Sequence, residues 1–196
     1  MLDTHARKFV QPVIQKAASF FVQRGWRPNQ ITGCAFMIGV LASLSIGLGQ
    51  PLLGVALLWI SGFLDAVDGS MARLRGNASA WGTVLDVTLD RLVEAGVIIA
   101  LAVLHPQPEV LFLLLLLVIS FLFSMTVFLT VGAVSGKRGE KSFYYQAGLA
   151  ERTEGFIFLT LMVLFQGQLL FWGALFCFAV VVTALQRLAE ARRLLR

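Results

Sequence analysis

The chain has 196 residues, 58% of them hydrophobic and only 14% charged, with a formal net charge of +5. A mean hydropathy of +0.81 lies far above that of a soluble globular domain and leaves almost no length for one. The sixteen Lys and Arg give a pI of about 9.8, but they cluster at the ends of apolar segments, a pattern of membrane topology and attraction to anionic lipid rather than of nucleic-acid binding.

Residues 1–27 form the first segment. Phe9, Val10, Val13, Ile14, Ala17, Phe20 and Phe21 recur at helical spacing, with Arg7, Lys8, Gln11, Gln15, Lys16 and Gln23 on the other side. This predicts an amphipathic helix over 4–24 lying in the cytoplasmic interface, with its apolar face in acyl chains. Packing against a helical bundle would satisfy the same pattern. The N-terminal residues lack the compact apolar core of a cleavable signal.

Residues 28–196 then read as one membrane domain. At about 20 residues per crossing, the apolar runs accommodate six helices, near 30–49, 52–74, 80–104, 109–134, 153–167 and 168–189. The fold class expected is therefore all-α, a six-span polytopic protein preceded by a juxtamembrane helix. Pro28 suits the first turn of the first crossing, and Trp26 suits the interface. The turns GLGQP, HPQPE and QGQ contain no Lys or Arg, whereas the other connections and both termini are basic. By the positive-inside rule, both termini face the cytoplasm.

Cys34 and Cys177 fall inside apolar helices without CxxC spacing, so neither a disulfide framework nor a zinc site is implied. Asn77-Ala-Ser79 matches a glycosylation sequon but sits on the cytoplasmic side, where it has no use.

Four acidic residues break the apolar pattern: Asp65 and Asp68 on one segment, Asp86 and Asp90 on the next. A carboxylate in hydrocarbon persists only when it is paired, solvated or bound to a cation. Residues three or four apart share a helix face, so each pair converges. Four inward carboxylates suit hard divalent cations such as Mg²⁺. By the orientation above, they face the cytoplasm.

From Asp65 the chain follows the pattern D-x2-D-G-x2-A-R-x8-G-x3-D-x3-D through Asp65, Asp68, Gly69, Ala72, Arg73, Gly82, Asp86 and Asp90. This resembles the signature of the CDP-alcohol phosphotransferase family at every fixed position. The resemblance implies that Asp65, Asp68 and Asp86 ligate metal. Asp90 would complete the site and act as general base on the acceptor hydroxyl. The cofactors implied are two Mg²⁺ or Mn²⁺ ions, which can hold a diphosphate and stabilise departing CMP. Gly69, Ala72 and Gly82 would leave room for the nucleotide, although close helix packing also uses small residues. Arg73 can donate to phosphate oxygens. PNQIT resembles the family's P-N-x2-T element and implies that Asn29 and Thr32 border the nucleotide. The reaction implied is transfer of a phosphatidyl group from CDP-diacylglycerol to an alcohol, by a homodimer in a bacterial or archaeal plasma membrane.

The acceptor is read from charge. Lys137, Arg138, Lys141 and Arg152 form a cationic group expected on the metal side, which favours a phosphorylated polyol such as inositol phosphate or glycerol 3-phosphate. GLAERTE and the later LQRL resemble segments of the phosphatidylinositol-phosphate synthase branch, where Pro often stands at the position of Thr153. That departure leaves serine and other polyols open. Topology alone would also explain Lys137, Arg138 and Lys141. Two other readings compete. A Mg²⁺-dependent membrane prenyltransferase needs a second aspartate motif, and none follows Asp90. A divalent-cation carrier leaves Arg73 and the small residues unexplained.

Overall fold

The computed structural model describes residues 2–76, 79–134 and 152–194. Among them every element is helical: α1 (Leu2–Gln23), α2 (Pro28–Gly47), α3 (Pro51–Leu74), α4 (Ala80–Leu104), α5 (Pro108–Val134), α6 (Arg152–Leu164) and α7 (Leu169–Leu194), with a short 3₁₀ turn at Gln166–Gln168 before α7. The all-α expectation holds.

Local chemistry sets the helix ends. α2, α3 and α5 each begin on proline, which is pre-set for the first turn and has no N–H to leave unbonded. The Arg27 N–H donates to Gln30 Oε1 at 2.9 Å, which closes the start of α2. Gly49 and Gly76 end α2 and α3 at φ +75° and +62°, where a side chain would be strained.

Among the described residues, four segments are long and apolar enough to cross a membrane: Pro28–Gly47, Pro51–Leu74, Pro108–Val134 and Gln166–Arg193. This is two fewer than the hydropathy reading expects, for two physical reasons. α4 has the length, but Asp86, Asp90, Arg91 and Glu94 fall within it. α6, Arg152–Leu164, starts at the edge of the described residues and has 13 of them, fewer than the roughly 18 that a crossing needs.

The chain divides into two compact units, one of Thr4–Leu104 and the other of Met1–Asp3 with His105–Arg196. In the first, α2 packs against both α3 and α4. The close approach is made through small residues. A Cβ on Gly39 would lie 2.5 Å from Val93 Cγ2, and one on Gly96 would lie 2.7 Å from Ser43 Oγ. Ser61 Oγ donates to the Ala35 carbonyl across the α2–α3 interface at 2.7 Å. α1 is a continuous helix with Pro12 inside it. It buries Ile14 and Ala18 in a cluster with Ile31 of α2 and Val67 and Met71 of α3, while Val10, Val13 and Phe20 stay exposed. Its apolar surface is therefore split between the bundle and an open stripe.

In the second unit, α5 and α6 both pack on α7. Phe158 stacks on Phe176 at 4.9 Å, and Phe121 meets the same ring edge-on at 5.3 Å. Gly173 lets Leu113 approach closely.

Candidate metal and nucleotide site

Asp65 and Asp68 stand one turn apart on α3, and both are buried. Asp86 comes from the first part of α4. One carboxylate oxygen from each of Asp65, Asp68 and Asp86 lies within 4.8 Å of the other two. Oxygens that share one divalent cation at about 2.0–2.6 Å lie no more than roughly 5 Å apart. The donor set, all carboxylate and mostly buried, thus fits a hard divalent ion in both chemistry and span.

Asp90 is outside that three-residue group. It lines a crevice with Asp65, Thr32, Ala35, Phe36, Ser61, Leu89 and Val93. The fourth carboxylate therefore adjoins one metal-site residue while facing a mixed wall of apolar and hydroxyl groups. Asp90 thus adjoins Asp65 without joining the three oxygens that meet within 4.8 Å.

The small residues differ from one another. A Cβ on Gly69 would meet only the Arg73 guanidinium, at 3.7 Å, which is ordinary contact. Helix packing therefore does not demand glycine at this position. Gly82 is tighter: a Cβ there would lie 3.1 Å from Ser79 Oγ and 3.3 Å from Asn29 Oδ1. Its N–H donates to Ser79 Oγ at 3.0 Å at the start of α4. Asn29, from the first turn of α2, is thereby placed beside Gly82. Thr32 is buried, donates to the Pro28 carbonyl at 3.1 Å, and lines the Asp65–Asp90 crevice. Arg73 is exposed and donates to Ser70 Oγ at 2.8 Å. Ala72, beside it, is half-buried.

Lys137, Arg138 and Lys141 lie outside the described residues. Arg152 opens α6 with its guanidinium 5.9 Å from the Phe156 ring centre.

Two buried charges escaped the sequence reading. Glu94 is buried on α4 and pairs with Arg91 at 2.6 Å. It follows Asp86 and Asp90 at four-residue intervals, a spacing that could have revealed it. Arg187 is buried on α7, donates to Ser124 Oγ at 3.4 Å and lies 5.0 Å from the Phe128 ring centre. It lies in LQRL, which the sequence marks by resemblance alone, and resemblance carries no sign of burial. A cation buried among apolar helices is costly, and topology does not require that burial.

The sequence compares closely with known proteins over most of its length. It is 32% identical to an inner membrane protein of Escherichia coli, YnjF, over 84% of this chain and 82% of that protein. It is 36% identical to the archaetidylinositol phosphate synthase of Pyrococcus horikoshii, over 52% of this chain and 54% of that one. The fold matches the crystal structure of Mycobacterium tuberculosis phosphatidylinositol phosphate synthase with CDP-DAG bound, at a TM-score of 0.77 and 24% identity, covering 92% of this chain and 94% of that chain. The same enzyme in complex with manganese and citrate matches at 0.75, over 91% and 88%. Finally, the sequence model of the CDP-alcohol phosphatidyltransferases matches residues 26–185, and the chain belongs to that family.

Proposed function

We propose that this chain transfers the phosphatidyl group of CDP-diacylglycerol to the hydroxyl of an alcohol acceptor and releases CMP. The observation that carries this is the meeting of Asp65, Asp68 and Asp86 within 4.8 Å, inside the fixed spacing of the family signature. Names of relatives support the same chemistry, and manganese in the structural neighbour supports a metal of the Mg²⁺/Mn²⁺ kind.

Asp65, Asp68 and Asp86 would hold the ions, with Asp90 closing the set. When bound, the two ions supply charge neutralisation of the diphosphate and stabilisation of the CMP leaving group. The protein's own contribution is positional. Gly69 keeps the space beside Arg73 open, so that the guanidinium can reach a phosphate oxygen in plane. Asn29 and Gly82 form one edge of the nucleotide site, and Thr32 and Ala72 border it. Asp90, beside the crevice, takes the proton of the acceptor hydroxyl as its oxygen attacks phosphorus.

The acceptor is a phosphorylated polyol such as inositol phosphate or glycerol 3-phosphate, bound by Lys137, Arg138, Lys141 and Arg152. The support is charge: an anion is attracted to such a group. In the membrane, residues 28–196 make six crossings, with α4 and α6 completing the four apolar spans, and α1 lies in the cytoplasmic interface. The metal end faces the cytoplasm, and the enzyme works as a homodimer.

The test is CMP release from CDP-diacylglycerol against a panel of free and phosphorylated alcohols, with Mg²⁺ or Mn²⁺ present. Turnover with one acceptor, abolished by excess chelator, is expected. Flux of Mn²⁺ into liposomes without CMP release would instead favour a cation carrier.

A further inference from the structure

The stripe of α1 that packs on the bundle touches the helix turn that carries two of the metal-site carboxylates. Ile14 and Ala18 are buried against Val67 and Met71, with Leu64 and Ala66 packed at the margin. Val67 immediately precedes Asp68, and Met71 follows it by one turn; Leu64 and Ala66 flank Asp65. Ala18, Val67 and Met71 are fully buried. The back of the Asp65–Asp68 turn is thus held by α1.

The other stripe of α1 has different surroundings. Val10 is 44%, Val13 58% and Phe20 48% exposed. These residues lie about 60° to 140° around the helix from the line of Ile14 and Ala18, at 3.6 residues per turn. Cations border them. Lys16 is exposed, and the Arg24 guanidinium sits 4.3 Å from the Phe20 ring centre. Exposed Trp26 and Arg27 follow. From Thr4 to Leu64 the sequence contains no Asp or Glu. An apolar stripe edged by cations, in a stretch of chain without Asp or Glu from Thr4 to Leu64, complements one surface: a leaflet rich in anionic lipid headgroups.

We propose that α1 senses lipid charge for the metal site. Its outer stripe with Lys16 and Arg24 engages anionic lipid, and its inner stripe passes that engagement to Asp65 and Asp68 through Val67 and Met71. A ligand shifts an equilibrium only when it binds one state better than the other. Anionic lipid does so here because both stripes belong to one rigid helix. Docking α1 against the leaflet favours the seated state, in which Val67 and Met71 are covered and the carboxylates are held close. The inference rests on the phosphotransferase reading of the site.

The test uses the full chain in nanodiscs of pure phosphatidylcholine or of phosphatidylcholine with phosphatidylglycerol, with Mn²⁺ and CMP as probes. Neither probe needs a lipid substrate, so substrate supply does not enter. Mn²⁺–CMP affinity is read by electron paramagnetic resonance. Wild type is expected to bind about fivefold more tightly in the anionic discs. Lys16→Glu with Arg24→Glu should bring the ratio close to one, while affinity in pure phosphatidylcholine stays at the wild-type value. The milder Lys16→Gln should give an intermediate ratio. A surface potential that merely concentrates Mn²⁺ would act equally on wild type and variants. A lipid dependence that survives in the charge-reversed variant therefore overturns the proposal, as does equal wild-type affinity in both discs. Absence of Mn²⁺–CMP binding in every disc would instead overturn the phosphotransferase reading.

Discussion

Asp68 and Asp90 have the same side chain and the same family motif, yet the fold gives them different neighbours. Asp65, Asp68 and Asp86 share a space that a divalent ion can span, whereas Asp90 shares with Asp65 a crevice also lined by Ala35, Phe36 and Val93. Replacing Asp65, Asp68 or Asp86 by Asn should therefore weaken Mn²⁺–CMP binding itself. Asp90→Asn should retain most of that binding and lose about 10²–10⁴-fold in turnover, the usual span for a general base. Calorimetric titration of Mn²⁺–CMP beside single-turnover kinetics separates the two outcomes, and full turnover by Asp90→Asn would remove its assigned role. The glycines divide similarly. A Cβ at Gly69 meets only the flexible end of Arg73, so Gly69→Val should insert, purify and melt like wild type while losing CMP affinity. If it binds CMP normally, the space beside Arg73 is not where the nucleotide lies.

The helices that carry these residues are positioned by a different kind of glycine. Gly39 lets α2 meet α4, and a Cβ there would come within 2.5 Å and 2.8 Å of the two methyls of Val93. Overpacking of this sort costs about 1–3 kcal/mol. Gly39→Ala should therefore lower the melting temperature in detergent, and Val93→Ala in the same chain should restore much of it. Equal melting of Gly39→Ala and wild type would show that α2 and α4 can separate freely. Hydropathy could not distinguish Gly39 from Gly69, because both appear as small residues in apolar runs. The aspartate spacing and the proline start of α2 were readable because local chemistry fixes them. The status of α4 was not, because its carboxylates lower the very apolarity by which a crossing is recognised. The buried Arg187 was also missed: its contacts with Ser124 and Phe128 of α5 join residues more than fifty positions apart, and periodicity within one segment carries no such information.

Charge over the whole chain bears on which acceptor it takes. The formal net charge is +5, and an excess of cations attracts an anionic partner. Arg152 is half-buried at the start of α6, against Phe156. A guanidinium in that setting can form a charge-assisted hydrogen bond to a phosphate, worth roughly 1.5–3 kcal/mol. Arg152→Gln should then raise the KM for a phosphorylated acceptor by about tenfold or more, since each 1.4 kcal/mol is a factor of ten. The KM for CDP-diacylglycerol should change much less. Lys141→Gln should act in the same direction but more weakly, as a flexible ammonium positions a phosphate less firmly. Added salt should narrow the gap between the Lys141 variant and wild type, because salt screens the attraction between an ammonium and a phosphate. The measurement is initial rate against acceptor concentration at low and high ionic strength. A preference for free inositol, glycerol or serine, with Arg152→Gln unaffected, would exclude this cationic group from acceptor recognition while leaving the chemistry at Asp65, Asp68, Asp86 and Asp90 intact.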